Sequence, residues 1–148
     1  MCVLQGMILL SPDPRLHEKS RPVHEDEFGV ELDTVMNAMI SALQKERGAG
    51  LAGVQVGDVR RILIVNLGPD KTPEKVVNPV LVQASKLRCM DKEGCLSFPG
   101  LLKQVPRSRQ VTVQYQTPFG ETRTRSLSGF EARCIQHEID HLNGKTIF

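Results

Sequence analysis

No stretch of this chain stays apolar for the roughly 20 residues that a membrane-spanning helix needs, so no span is expected. Met7-Ile8-Leu9-Leu10 is too short for the apolar core of a secretory signal and has no basic flank. Neither charge predominates. The formal net charge is +2, too small to make nucleic acid the main partner. Lys103, Arg107 and Arg109, with Arg123 and Arg125, accordingly read as a solvated basic face. The cysteines Cys2, Cys89, Cys95 and Cys134 have no paired spacing, so no disulfide framework is indicated. A cytosolic protein, or the mature form of an imported one, is expected. There is no internal repeat and no low-complexity tract.

The 148 residues suit a single domain spanning 1–148, and 40% hydrophobic with 24% charged content is that of a globular chain. Pro12, Pro14 and Pro22 mark an extended entry. From about Glu27 to Arg47, Leu32, Val35, Met36, Met39, Ile40 and Leu43 recur at helical spacing, predicting an amphipathic helix stopped at Gly48. Gly48, Gly50, Gly53 and Gly57 lack the Gly-Lys-Ser/Thr ending of a phosphate loop, and read instead as a tight turn lining a cleft. Arg61 to Leu67 is a continuous apolar run of buried-strand type. Val76 to Val82 contains Asn78-Pro79 and should be broken or lie at an edge. Val111, Val113 and Tyr115 alternate with polar residues, and Thr117-Pro118-Phe119-Gly120 turns the chain into an antiparallel return over Glu121 to Leu127. The expected class is α+β: antiparallel strands packed around a C-terminal helix, with one amphipathic helix towards the N-terminus.

That C-terminal helix carries the chemistry. Gln136-His137-Glu138-Ile139-Asp140-His141 contains His-Glu-x-x-His, which puts two imidazoles on one helix face with a carboxylate beside the first. Ser128 to Glu131 reads as a capping box, and Gly144 as the glycine just past the helix. Phe130, Cys134, His137 and His141 follow steps of four, three and four, a stripe for both packing and chemistry. Two histidines at this spacing also occur as ordinary core or surface residues, so a third ligand is the test. The seven residues after His141 include no His, Cys, Asp or Glu, and the ligand must come from upstream. Cys134 lies about 10 Å before His141 along the axis, too far to share an ion, and reads as a small buried residue. Cys2 is near the terminus. Cys89 and Cys95 remain, with Cys95 in the more suggestive setting after Gly94.

Gly48-Ala49-Gly50-Leu51-Ala52-Gly53-Val54-Gln55, Glu93-Gly94-Cys95-Leu96-Ser97 and Gln136-His137-Glu138-Ile139-Asp140-His141-Leu142 resemble, in order, the three signature motifs of the peptide deformylases. Ser11 to Leu16 is similar to the family's opening, and the likeness runs from Met7 to Phe148. Gly53 stands where the first motif usually has alanine. Many members continue into a C-terminal helix, whereas this sequence stops at Phe148, like short virus-encoded members. Every candidate site residue precedes Gly144, so the chain is expected to be active as it stands.

The resemblance implies removal of the formyl group from N-formylmethionyl peptides, with release of formate. It implies Cys95, His137 and His141 as ligands of Fe²⁺, a set that Zn²⁺, Ni²⁺ or Co²⁺ also fits. Glu138 would act as general base towards the attacking water and then as acid towards the leaving amine. Gln55 and the backbone N–H of Leu96 would stabilise the oxyanion. Gly50, Glu93, Gly94, Phe130 and Cys134 would surround the methionine side chain, although Phe130 and Cys134 also suit a core. Asp140 is read as a supporting partner, with Arg107 as its counter-ion, while the direction of Arg133 is not legible. A monomer is expected, with at most transient contact at the ribosome surface. Two other classes stay open: a metallopeptidase or amidase, and a non-catalytic module with a structural metal. Retention of Gln55 and Glu138 argues against the second.

Overall fold

The computed structural model describes residues 8–67 and 72–148. Cys2 and Met7, both considered above, lie outside the described residues. Among these residues, seven strands and two α-helices follow in the order α1 (Val30–Lys45), β1 (Gly50–Ala52), β2 (Ile62–Asn66), β3 (Pro73–Ala84), β4 (Arg88–Cys95), β5 (Phe98–Ser108), β6 (Gln110–Gln116), β7 (Thr122–Ser128) and α2 (Gly129–Leu142). Five strands form one antiparallel sheet in the order β1-β2-β3-β6-β7, and β4 with β5 forms a separate two-stranded sheet. No helix among the described residues is long and apolar enough to cross a membrane.

The apolar run in β2 follows from its position between the two helices. Ile62 and Ile64 pack with Leu32, Met36, Met39 and Leu43 of α1. Leu63 and Val65, pointing the other way, pack with Ile135, Ile139 and Leu142 of α2. A strand covered on both faces has no polar side to alternate with. Strand β6, with Val111, Val113 and Tyr115 buried, shows the expected alternation.

The Asn78-Pro79 signal has a different outcome from a terminated strand. β3 lies in the middle of the sheet, but its register shifts between Val77 and Val80, and Asn78 takes φ of 50°. β2 pairs with β3 only as far as Val77. Pro79, which has no N–H to offer, therefore stands where that neighbour has ended. The stop of α1 also differs: Arg47, at φ 55°, makes the left-handed turn, while Gly48 is a close-approach site. A Cβ on Gly48 would sit 2.7 Å from Leu43 and 2.9 Å from Leu96.

The β4–β5 hairpin had no signal in the sequence, because most of its side chains are exposed and no apolar period marks it. Of the solvated basic face, Lys103, Arg109 and Arg123 are exposed as expected, and Arg107 and Arg125 are not. Arg107 is buried and paired with Glu93 and Asp140, and Arg125 pairs with Glu74. At the start of α2, Ser128 is the N-cap but its hydroxyl makes no capping bond. Gly129 adopts φ of 60° and turns its N–H to the Arg109 carbonyl instead. At the other end Gly144, at φ 77°, closes the helix, and a Cβ there would meet the His17 carbonyl at 2.6 Å.

Candidate metal centre and active site

Three segments far apart in sequence meet at one cavity: β1 with the 3-10 turn Gly53–Val56, the turn joining β4 to β5, and α2. Cys95 ends β4, and a register irregularity between Glu93 and Cys95 accompanies the tight return through Leu96 and Ser97. Its Sγ lies 3.3 Å from His141 Nε2. Ligand atoms of Cys95, His137 and His141 all fall within 4.8 Å of one another. Cys89 is exposed on β4 and lies outside this cluster.

The two imidazoles are held differently. His137 Nδ1 lies 2.9 Å from Glu93 Oε1, so donating its proton there leaves Nε2 free to ligate. His141 is buried, and its Nδ1 has no partner among the described residues. Burial, together with the charge on His137, pushes the His141 pKa down to about 3. Burial also acts against charge on His137, but hydrogen bonding to Cys95 and Glu93 outweighs it and raises that ring to about 10, so a cation binding at Nε2 would displace a proton. One thiolate and two buried imidazoles, one already oriented by a carboxylate, fit a divalent cation of the Zn²⁺ or Fe²⁺ kind.

Glu93 is the hub behind these ligands. Arg107 donates to both of its oxygens at 2.9 Å each, and Arg133 Nη1 donates to Oε2 at 2.7 Å. Burial by itself would raise this carboxyl. The bonds from Arg107, His137 and Arg133 more than reverse it, holding the group at about 2. Arg107 also reaches Asp140 Oδ2 at 2.5 Å, the pairing expected from the sequence. Arg133 turns inward to Glu93 and to two hairpin carbonyls, those of Val105 and Cys89.

Glu138 is buried against Gly50, and its Oε1 has no partner among the described residues. Burial raises its pKa to about 7. Gln55 is fixed at both ends of its amide. The Oε1 accepts from the Ala52 N–H at 3.0 Å, and Nε2 donates to Ser97 Oγ at 3.0 Å, 3.7 Å from Cys95 Sγ. The amide donor thus faces the Cys95 sulfur, while the carbonyl end is occupied elsewhere. Ser97 was not singled out in the sequence, although it stands within the second motif.

The cavity measures about 660 Å³ and is lined mainly by apolar groups, including Gly50, Gly94, Leu96, Leu101, Leu102 and Cys134. Glu93 and Phe130 also reach it. Phe130 does not belong to the core: at 66% exposure it stands at the rim, so the expected packing stripe along α2 begins at Cys134. Burial pushes the Cys134 thiol up to about 12, so it stays protonated and packs as a small apolar group.

Residues 6–148 match the family model described as polypeptide deformylase. A peptide deformylase of Brucella suis biovar 1 is 39% identical over 140 residues, which cover 93% of this chain and 79% of that one. A ligand-bound class I type b peptide deformylase from Acinetobacter baumannii has a TM-score of 0.90 to this structure at 34% identity, covering 95% of each chain. The Met-Ala-Ser-bound structure of that enzyme has a TM-score of 0.88 at 32% identity, covering 94% of this chain and 93% of that one.

Proposed function

The chain belongs to the peptide deformylase family, a family of hydrolytic enzymes, and on that premise we propose that it removes the formyl group from the N-formylmethionyl end of nascent peptides. The observation that carries this reading is the convergence of Cys95, His137 and His141 at a largely apolar cavity that Cys95 and His137 line together with Glu138, whose Oε1 is unpartnered among the described residues.

Cys95, His137 and His141 would hold the ion, for which we propose Fe²⁺, with Zn²⁺, Ni²⁺ or Co²⁺ able to substitute. The ion supplies Lewis acidity, easing both deprotonation of water and polarisation of the formyl carbonyl. Glu138 takes the proton from the attacking water and gives it to the leaving amine nitrogen. A carboxylate raised to about 7 by burial can do both near neutral pH. As negative charge develops on the formyl oxygen, Gln55 Nε2 and the Leu96 N–H are the proposed donors. Because Ala52 already occupies the Gln55 carbonyl end, the amide does not need to reorganise to present its N–H. The methionine side chain enters the cavity beside Gly50, Glu93, Gly94, Phe130 and Cys134, and Glu93 also acts on the site through His137.

Formate release from formyl-Met-Ala tests this, with metal content measured on the same preparation. A metal-loaded protein that releases no formate, or that cleaves unformylated peptides as fast, overturns the deformylase reading in favour of a peptidase.

A further inference from the structure

The hairpin that carries Cys95 is not joined to the helix that carries His137 and His141 through the hydrophobic core. No residue of β4 or β5 belongs to either buried apolar cluster, although Leu96 of the connecting turn packs against the one under α1. The side-chain bonds from α2 to the hairpin are polar. Gln136 exchanges two hydrogen bonds with the Ser108 backbone, Asp140 takes Arg107, and His137 takes Glu93. Arg133 does most. From α2 it donates to the Cys89 carbonyl on β4 at 2.6 Å, to the Val105 carbonyl on β5 at 2.8 Å and to the Glu93 carboxylate at 2.7 Å.

We propose that Arg133 is a positioning residue that docks the Cys95 hairpin against α2 and thereby sets how long a metal ion is retained. The proposal rests on the metal-site reading above. Side-chain contacts of this kind behind a ligand shell commonly change metal affinity by about 10- to 100-fold. The guanidinium suits the task because its fixed fork can satisfy a carboxylate and two carbonyls at once, while a lysine ammonium at the same depth cannot span all three. Loss of Arg133 leaves Glu93 its bonds to Arg107 and His137, so the effect should be local loosening of the hairpin rather than unfolding.

The test uses the Zn²⁺-loaded 148-residue protein and its Arg133→Met and Arg133→Lys variants. Zinc release into excess chelator should be at least about fivefold faster in Arg133→Met, with Arg133→Lys between it and wild type. Amide exchange should quicken over residues 88–108 and stay unchanged in β2 and β6, which no merely global destabilisation would give. Should the methionine variant fail to fold, the lysine variant decides. A smaller change in release, or an exchange profile that rises everywhere alike, overturns the proposal. If wild type holds no zinc at all, the metal-site reading fails separately, and unchanged exchange over 88–108 in the variant then sinks the docking claim by itself.

Discussion

Gly50 and Glu138 approach so closely that any side chain on Gly50 would have to push the Glu138 carboxylate aside. A Cβ built on Gly50 would lie 2.8 Å from Glu138 Oε2 and 2.9 Å from its Cγ. Strand β1 thus forms one side of the slot in which the proposed base sits, with the base's other oxygen unpartnered.

Gly50→Ala should accordingly displace the carboxylate and leave the fold in place. A loss of at least about tenfold in kcat is expected, because misplacing a general base forfeits much of its contribution. Cys89→Ala is the control, since Cys89 is exposed and stands outside the ligand cluster. Equal activities for the two variants would show that the slot does not constrain Glu138.

The sheet and both helices were legible because each buries a face whose period shows in the sequence. Leu32, Met36, Met39 and Leu43 step at 3.6, and Val111, Val113 and Tyr115 at 2. The hairpin 88–108 was invisible for the opposite reason: its attachment is a set of charges and carbonyls, which have no period. The same cause hid the direction of Arg133 and the burial of Arg107 against Glu93, although the pairing of Arg107 with Asp140 was legible. The helical pair His137 and His141 was legible from spacing alone. The hydrogen bond between His137 and Glu93, 44 positions apart, was not.

Cys95→Ala should strip the ion, while Cys89→Ala should keep both ion and activity. Among the described residues, only the Cys95 thiol stands with the two histidines. Cys89 is exposed and contributes to the site through its backbone carbonyl, which any residue retains. Metal content after gel filtration checks both. Loss of the ion in Cys89→Ala alone would reverse the assignment.

Stability should drain away in acid through Glu93. Its folded-state value, about 2, lies below the ordinary 4.5, so the unfolded chain binds the extra proton as pH falls. The contribution is full above about pH 4.5 and is lost progressively towards pH 2, up to about 3 kcal/mol in all. Urea unfolding of the metal-free protein across that window should show the decline. Glu93→Gln, less stable at neutral pH, should show a flatter one. Parallel curves for the two proteins would place the acid-labile group elsewhere.

Glu138→Gln should abolish turnover while sparing fold and metal. The side chain is nearly isosteric, and Glu138 is not among the three residues whose ligand atoms cluster. An amide cannot accept the water proton, so the general-base contribution, typically about 10²–10⁴-fold, is lost. The loss should fall on kcat more than on KM, since the apolar cavity and the ligand set that receive the substrate are unchanged. The variant should also be no less stable than wild type at neutral pH, because it removes a buried carboxylate whose charge burial disfavours. Steady-state kinetics and metal analysis on one preparation decide the matter. Retention of more than about a tenth of wild-type kcat would mean that another group moves the proton. Loss of the ion would instead make Glu138 a support of the ligand cluster, and the division of labour drawn between it and Glu93 would have to be reversed.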